Sequence, residues 1–200
     1  GQIGAYARDV KPNVMFGVPR VWEKIYGGVS AALSADPDKK AQFDEGVEAA
    51  KPLSLKKAWG TATDEELATL DFLDSVAFGP VRELVGLDQL DIAISGAAPI
   101  PAELLAWFRA IGVPLSEIYG MSESTGPMTW EPLRVKAGTV GVAFPGTEVF
   151  LADDGEVWLH NVHINPYSHR GYVDHDPRRK RKLLLHRSEH RHVVSRRCVV

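Results

Sequence analysis

Ser95-Gly96-Ala97-Ala98-Pro99-Ile100-Pro101 follows one short apolar run, and Ile118-Tyr119-Gly120-Met121-Ser122-Glu123-Ser124-Thr125 ends a second about twenty residues later. Leu90 to Ser95 reads as a buried strand. Pro101 opens a helix that carries Leu104, Leu105, Trp107 and Phe108 and stops near Gly112. Val113 to Tyr119 reads as the next strand. Strand, helix and strand with short links predict a βαβ unit with parallel neighbouring strands. Ligands in such sheets gather beyond the carboxyl ends of the strands, where both small-residue segments fall. A glycine turn lets a flat base approach the backbone. Tyrosine offers an aromatic face, serine a hydroxyl for phosphate and glutamate a metal ligand. The bland alternatives are a core tyrosine with a satisfied hydroxyl and a serine that caps a helix.

Working outward, Asn13 to Val18 predicts a further strand, closed by Pro19, which suits a first helical turn. Val21, Trp22, Ile25, Val29 and Leu33 then recur at helical spacing. Ala41 to Ala58 predicts an exposed helix interrupted or restarted at Pro52. Asp64 is the expected cap of another, whose apolar face continues through Leu67, Leu70, Leu73, Val76 and Ala77. Thr139 to Leu159 breaks into short alternating segments split by Pro145-Gly146 and Asp153-Asp154-Gly155, which predicts β-hairpins. Trp107 and Phe108 are expected in the core. Arg20 and Trp22 read better as a solvated cation and a helix anchor than as the lining of a substrate site.

The 200 residues, 44% hydrophobic and 24% charged, suit one globular domain with a small appendage. No apolar run approaches the roughly twenty residues of a membrane span. Gly1 to Val10 reads as the middle of a longer protein, and the lone Cys198 supplies no disulfide framework. The charge is uneven. Up to Trp158, 13 Lys and Arg stand against 23 Asp and Glu; from Leu159 on, 10 stand against 3, and all seven histidines lie there. Two units are therefore expected, 1–158 and a poorly ordered basic tail, 159–200. His186, His190 and His192 have metal-like spacing without a completing carboxylate or cysteine, and the run Arg178-Arg179-Lys180-Arg181-Lys182 reads as a solvated charge run rather than a nucleic-acid site. An abrupt gain of His and Arg is also what out-of-frame translation of GC-rich DNA gives.

Taken in order, the motifs resemble the adenylate-forming (AMP-binding) superfamily, and within it the long-chain fatty-acid–CoA ligases. Pro12-Asn13-Val14-Met15-Phe16-Gly17-Val18-Pro19-Arg20-Val21-Trp22-Glu23-Lys24, Gly138-Thr139-Val140-Gly141 and Pro145-Gly146-Thr147-Glu148-Val149 carry the likeness beyond the two central segments. It implies an α/β fold, part of the large N-terminal domain, with a parallel βαβ core and then hairpins. It implies a reaction of fatty acid, ATP and coenzyme A through an acyl-adenylate, with Mg²⁺, and cytoplasmic work with contact at a membrane surface left open. It further implies that Tyr119 stacks on adenine beside Gly96, Ala97 and Ala98, that Ser122 contacts the α-phosphate, that Glu123 holds Mg²⁺, and that Gly120 and Met121 lie near the acyl carbonyl. Ser122 and Glu123 would be the catalytic pair. The family more often has threonine at the position of Ser122. Its lysine-bearing phosphate loop, its Thr-Gly-Asp motif and its C-terminal lysine have no counterpart in these 200 residues, so no adenylation by this chain alone is expected. Other readings are an adenylation domain for another carboxylate, a basic-tailed binding module, and a serine hydrolase built on Ser122. In the last, Ser124 replaces the second glycine of the nucleophile elbow, and no histidine precedes His160. Acyl-chain length and oligomeric state are not legible.

Overall fold

The apolar run Val14–Gly17 forms strand β1, and Pro19 starts helix α2 (Pro19–Leu33) two residues later. Val18 between them is extended, and proline at the helix start sacrifices no hydrogen bond there. This is a computed structural model, and it describes residues 3–124, 126–151 and 157–161. A short helix, α1 (Ile3–Val10), precedes β1. After α2 come α3 (Pro37–Trp59), α4 (Asp64–Leu73), a π-helical turn (Asp74–Phe78) and α5 (Gly79–Val85). The expected βαβ unit follows as β2 (Ile92–Ser95), α6 (Ala102–Ala110) and β3 (Leu115–Met121). The chain continues through β4 (Gly126–Trp130), β5 (Val142–Ala143), β6 (Thr147–Leu151) and β7 (Val157–Asn161).

The main sheet has the order β1-β2-β3-β4-β5. β1, β2 and β3 are parallel, whereas β4 and β5 pair antiparallel. β6 and β7 form a separate antiparallel pair, with Leu151 opposite Val157. Helices cover one face of the parallel strands. Trp22, Ile25 and Val29 of α2 and Leu105, Trp107 and Phe108 of α6 are buried there with Met15, Ala93 and Leu115. Edge-to-face rings tie the layer together: Trp22 to Phe108 at 5.3 Å, Trp107 to Phe108 at 4.9 Å and Phe43 to Phe78 at 5.6 Å. Val14 and Phe16, on the opposite face of β1, are 60% and 59% exposed, so that face is uncovered among the described residues. No described helix is long and apolar enough to cross a membrane.

Several local expectations change. α3 runs unbroken through Pro52, whose exposed ring costs one backbone bond while Phe43, Val47 and Ala50 anchor the helix in the core. The cap of α4 is Thr63, not Asp64: its hydroxyl accepts from the Glu66 N–H, and the Glu66 carboxylate accepts from the Thr63 N–H, a reciprocal box. The π-helical turn adds a residue to the winding and rotates the apolar stripe, leaving Val76 58% exposed. Arg82 then grips Asp74 and donates to the Ile111 carbonyl at 2.6 Å, binding the helical excursion to the end of α6. Most of the basic tail lies outside the described residues, beyond Asn161.

Candidate functional site

The segment after β2 is a turn pinned at both ends. At its start, Gly96 is buried between Phe16 and Ile118: a Cβ there would fall 2.8 Å from Ile118 Cγ2 and 3.2 Å from Phe16 Cε2. At its end, Ile100 is 5% exposed, and its N–H donates to Glu117 Oε1 at 3.3 Å. The tip between them, Ala97, Ala98 and Pro99, is exposed. Ala97 sits at φ +67°, a left-handed conformation that costs a residue with a Cβ roughly 1–2 kcal/mol. Strain of this kind concentrates at ligand sites.

The second segment ends the neighbouring strand. Tyr119 pairs with Thr129 of β4 and is half-buried, and burial pushes its hydroxyl pKa up. The register slips between Tyr119 and Gly120. Such a slip twists the strand and re-aims its side chains. Gly120 is obligatory there, because a Cβ would fall 2.3 Å from the Gly126 carbonyl oxygen. Met121 ends β3, and Ser122–Ser124 forms a single 3-10 turn in which Ser122 is exposed.

Gly96 against Ile118 sets the two segments side by side at the carboxyl ends of adjacent parallel strands. The structure thus brings Gly96, Ala97 and Ala98 to one rim with Tyr119, and Gly120, Met121, Ser122 and Glu123 continue directly along the chain from it. Glu123 occupies the middle of the 3-10 turn. The described residues hold no cluster of three or more metal-ligating side chains. Magnesium bound through nucleotide phosphates needs only one or two protein carboxylates, so a single acidic residue after the strand fits that ion and does not form an all-protein cage.

Three residues have supporting roles that the sequence did not indicate. Ser124 has its hydroxyl within 3.2 Å of the Met121 N–H, which it accepts, and within 2.8 Å and 2.6 Å of the Met121 and Gly126 carbonyls. It folds the loop after Tyr119 back onto β4. Ser116 accepts from Trp130 Nε1 at 2.9 Å and donates to the Ala93 carbonyl at 3.2 Å, linking β2, β3 and β4. Glu117 is the third, a carboxylate only 6% exposed. Its pKa is raised to about 6 by burial, partly offset by the Ile100 N–H. Polar residues within an apolar strand give no periodic signal, which is why a pattern reading passes over them. Trp22 is fully buried and donates to the Gly17 carbonyl at 3.2 Å, while Arg20 pairs with Glu23 at the surface; neither lines the rim. Two cavities, of about 370 and 450 Å³, lie among the helices and touch none of these rim residues.

Comparison with known proteins identifies the family. The family model described as AMP-binding enzyme matches residues 3–162. A protein of Mycobacterium tuberculosis described as a fatty-acid–CoA ligase, fadD11, is 37% identical over 158 residues, which are 77% of this chain and 28% of the relative. The long-chain-fatty-acid–CoA ligase ACSBG2 of Gallus gallus is 31% identical over 88% of this chain and 23% of its own. The N-terminal domain of FACL13 from Mycobacterium tuberculosis, a solved structure, is 28% identical over 48% of this chain and 26% of that one, with a TM-score of 0.33. The chain therefore spans about a quarter of the length of the curated relatives it matches. A second family model, SmpB protein, matches residues 139–197 and overlaps the first over the hairpin region.

Proposed function

The chain belongs to the AMP-binding enzyme family, and from that premise we propose that it is the adenine, phosphate and magnesium side of an ATP-dependent long-chain fatty-acid–CoA ligase. The observation that carries the reading is the shared rim. The Gly96 turn lies against Ile118, next to Tyr119, in a chain whose relatives are described as fatty-acid–CoA ligases.

In the proposed reaction a fatty carboxylate oxygen attacks the α-phosphorus of ATP, the bond to the β-phosphate oxygen breaks, and pyrophosphate leaves. The coenzyme A thiolate then attacks the acyl carbon and AMP departs with the bonding electrons. The obstacle is charge, since an anion must approach an anion. Tyr119 would stack on the adenine against the exposed Ala97–Ala98 tip. Ser122, exposed at the start of the 3-10 turn, would donate to an α-phosphate oxygen. Gly120 and Met121 would border the acyl carbonyl. Glu123 would hold Mg²⁺, which supplies charge neutralisation on the phosphates when bound. The hydrophobic acyl substrate supports work in the cytoplasm with contact at a membrane surface.

Residues that other parts of such a domain contribute are needed for turnover. Equilibrium ATP–pyrophosphate exchange by the 200-residue chain with palmitate is therefore expected at background level. Measurable exchange would show that these residues form a complete adenylation site.

We also propose that the chain divides near residue 158, with 159–200 as a distinct segment. The change in charge supports that division, while the SmpB match, residues 139–197, extends to both sides of it. Out-of-frame translation gives no reason for a family match through residue 197, so an in-frame segment of different origin is the better account. Sequencing the coding DNA across codons 150–165 tests it. A continuous frame is expected, and a single-base shift that restores a Thr-Gly-Asp motif downstream would overturn it.

A further inference from the structure

We propose that Glu117 is a positioning residue for the rim, a buried carboxylate that sets the height of the Ala97–Pro99 tip over β3 through the Ile100 N–H. The inference rests on the reading of that rim as a nucleotide site, but its geometry is independent of it.

Glu117 is an uneconomical choice for packing alone. It is the third residue of β3, between Leu115-Ser116 and Ile118-Tyr119, on the face that the helices cover. Burying a carboxylate costs free energy unless a cation or several donors meet it. Among the described residues no cation is within ion-pair distance of it, and the one donor recorded is the Ile100 N–H. Both charged residues of α6, the helix packed on β3, are committed elsewhere: Arg109 donates to the Leu115 and Leu133 carbonyls, and Glu103 pairs with Lys51. The influences on the acidity of Glu117 are burial and then the Ile100 N–H, with no neighbouring charge among them.

A second observation points to the same place. Ser95 is the register partner of Glu117 on β2, is fully buried, and its hydroxyl has no hydrogen-bond partner among the described residues. Side chains in register on adjacent strands share a face, so an unmatched donor stands one strand away from an under-satisfied acceptor. Ser95 begins the turn and Ile100 ends it. Glu117 is bonded to the last residue of the turn and stands in register with the first, two residues before Tyr119. The turn and the aromatic ring are therefore referred to the same strand. When Glu117 is ionised it accepts from Ile100 at full strength. When it is protonated one oxygen becomes a donor, the bond to Ile100 weakens, and that end of the turn is held less firmly to β3.

The test uses the full 200-residue chain and nuclear magnetic resonance. The Glu117 side-chain carbon and the Ile100 and Ala98 amides are followed through a pH titration, with adenosine, which carries no phosphate to titrate, as the probe of the rim. The expected result is one shared inflection near the Glu117 value of about 6, absent from the amides of Glu117→Gln. Adenosine affinity should fall several-fold on the acid side in the wild type and stay flat in Glu117→Gln. Glu117→Leu, which lacks the acceptor, should speed hydrogen exchange at Ile100 by about tenfold or more. An Ile100 amide that ignores the Glu117 titration, or an inflection that persists in Glu117→Gln, overturns the proposal. If adenosine binds at no pH, the nucleotide reading fails, and the amide titration alone still decides whether Glu117 holds the turn.

Discussion

Two rim residues show how far a single side chain can matter. Gly120 has no room for a Cβ, because the Gly126 carbonyl oxygen would lie 2.3 Å away and that atom belongs to backbone. Gly120→Ala must therefore push β4 from β3 at the register slip. The expected loss is about 2–4 kcal/mol in urea unfolding, the range of overpacked and broken-pairing sites. A wild-type midpoint would mean that the close approach is not kept in solution. Glu117 makes a prediction of opposite sign. Its folded pKa is raised from 4.5 to about 6, so ionising it opposes folding. Below the unfolded value this penalty is absent; it grows as pH rises and is complete above the folded value. Glu117→Gln should match the wild type near about pH 4 and exceed it by up to about 2 kcal/mol near about pH 7, at 1.36 kcal/mol per unit. Equal urea midpoints at both values would refute the buried charge.

At the scale of elements, the polar link across three strands is the most exposed to test. Trp130 Nε1 donates to Ser116 Oγ, which donates to the Ala93 carbonyl. Trp130→Phe keeps the ring beside Phe144 and leaves the buried Ser116 short of one partner, at an expected cost of about 1–2 kcal/mol by thermal or urea unfolding. The elements legible in the sequence were those with strong local signals. β1 with α2, and β2-α6-β3, carry continuous apolar runs, a proline at a helix start and helical spacing of large side chains. The rest depended on tertiary context. Pro52 reads as a break, but three buried residues on the other side of α3 hold the helix through it. The π-helical turn leaves no local mark, so Val76 falls on the wrong side of the stripe. β4 contains Gly126 and Pro127 and gains its strand character only by pairing with β3. At the site, the two glycine-containing segments were visible because glycine and aromatic residues punctuate a pattern. The roles of Ser116, Glu117 and Ser124 were not, because they exist only once neighbouring strands are in register.

For the whole molecule, the proposed division predicts that residues 1–162 alone keep the thermal midpoint of the 200-residue chain, since every described element ends by Asn161. A clear drop by differential scanning calorimetry would show that the basic segment supports the fold. The uncovered face bearing Val14 and Phe16 is in keeping with a chain that spans about a quarter of its relatives' length. The two sides of the rim are also built differently. The side after Tyr119 is clamped to β4 by backbone touching backbone and by the triple reach of Ser124. The opposing side, at Ala97 to Pro99, hangs from one glycine and one carboxylate bond. On the proposed nucleotide reading, accommodation of guests of different thickness would come from the hanging jaw, while the anvil opposite stays put.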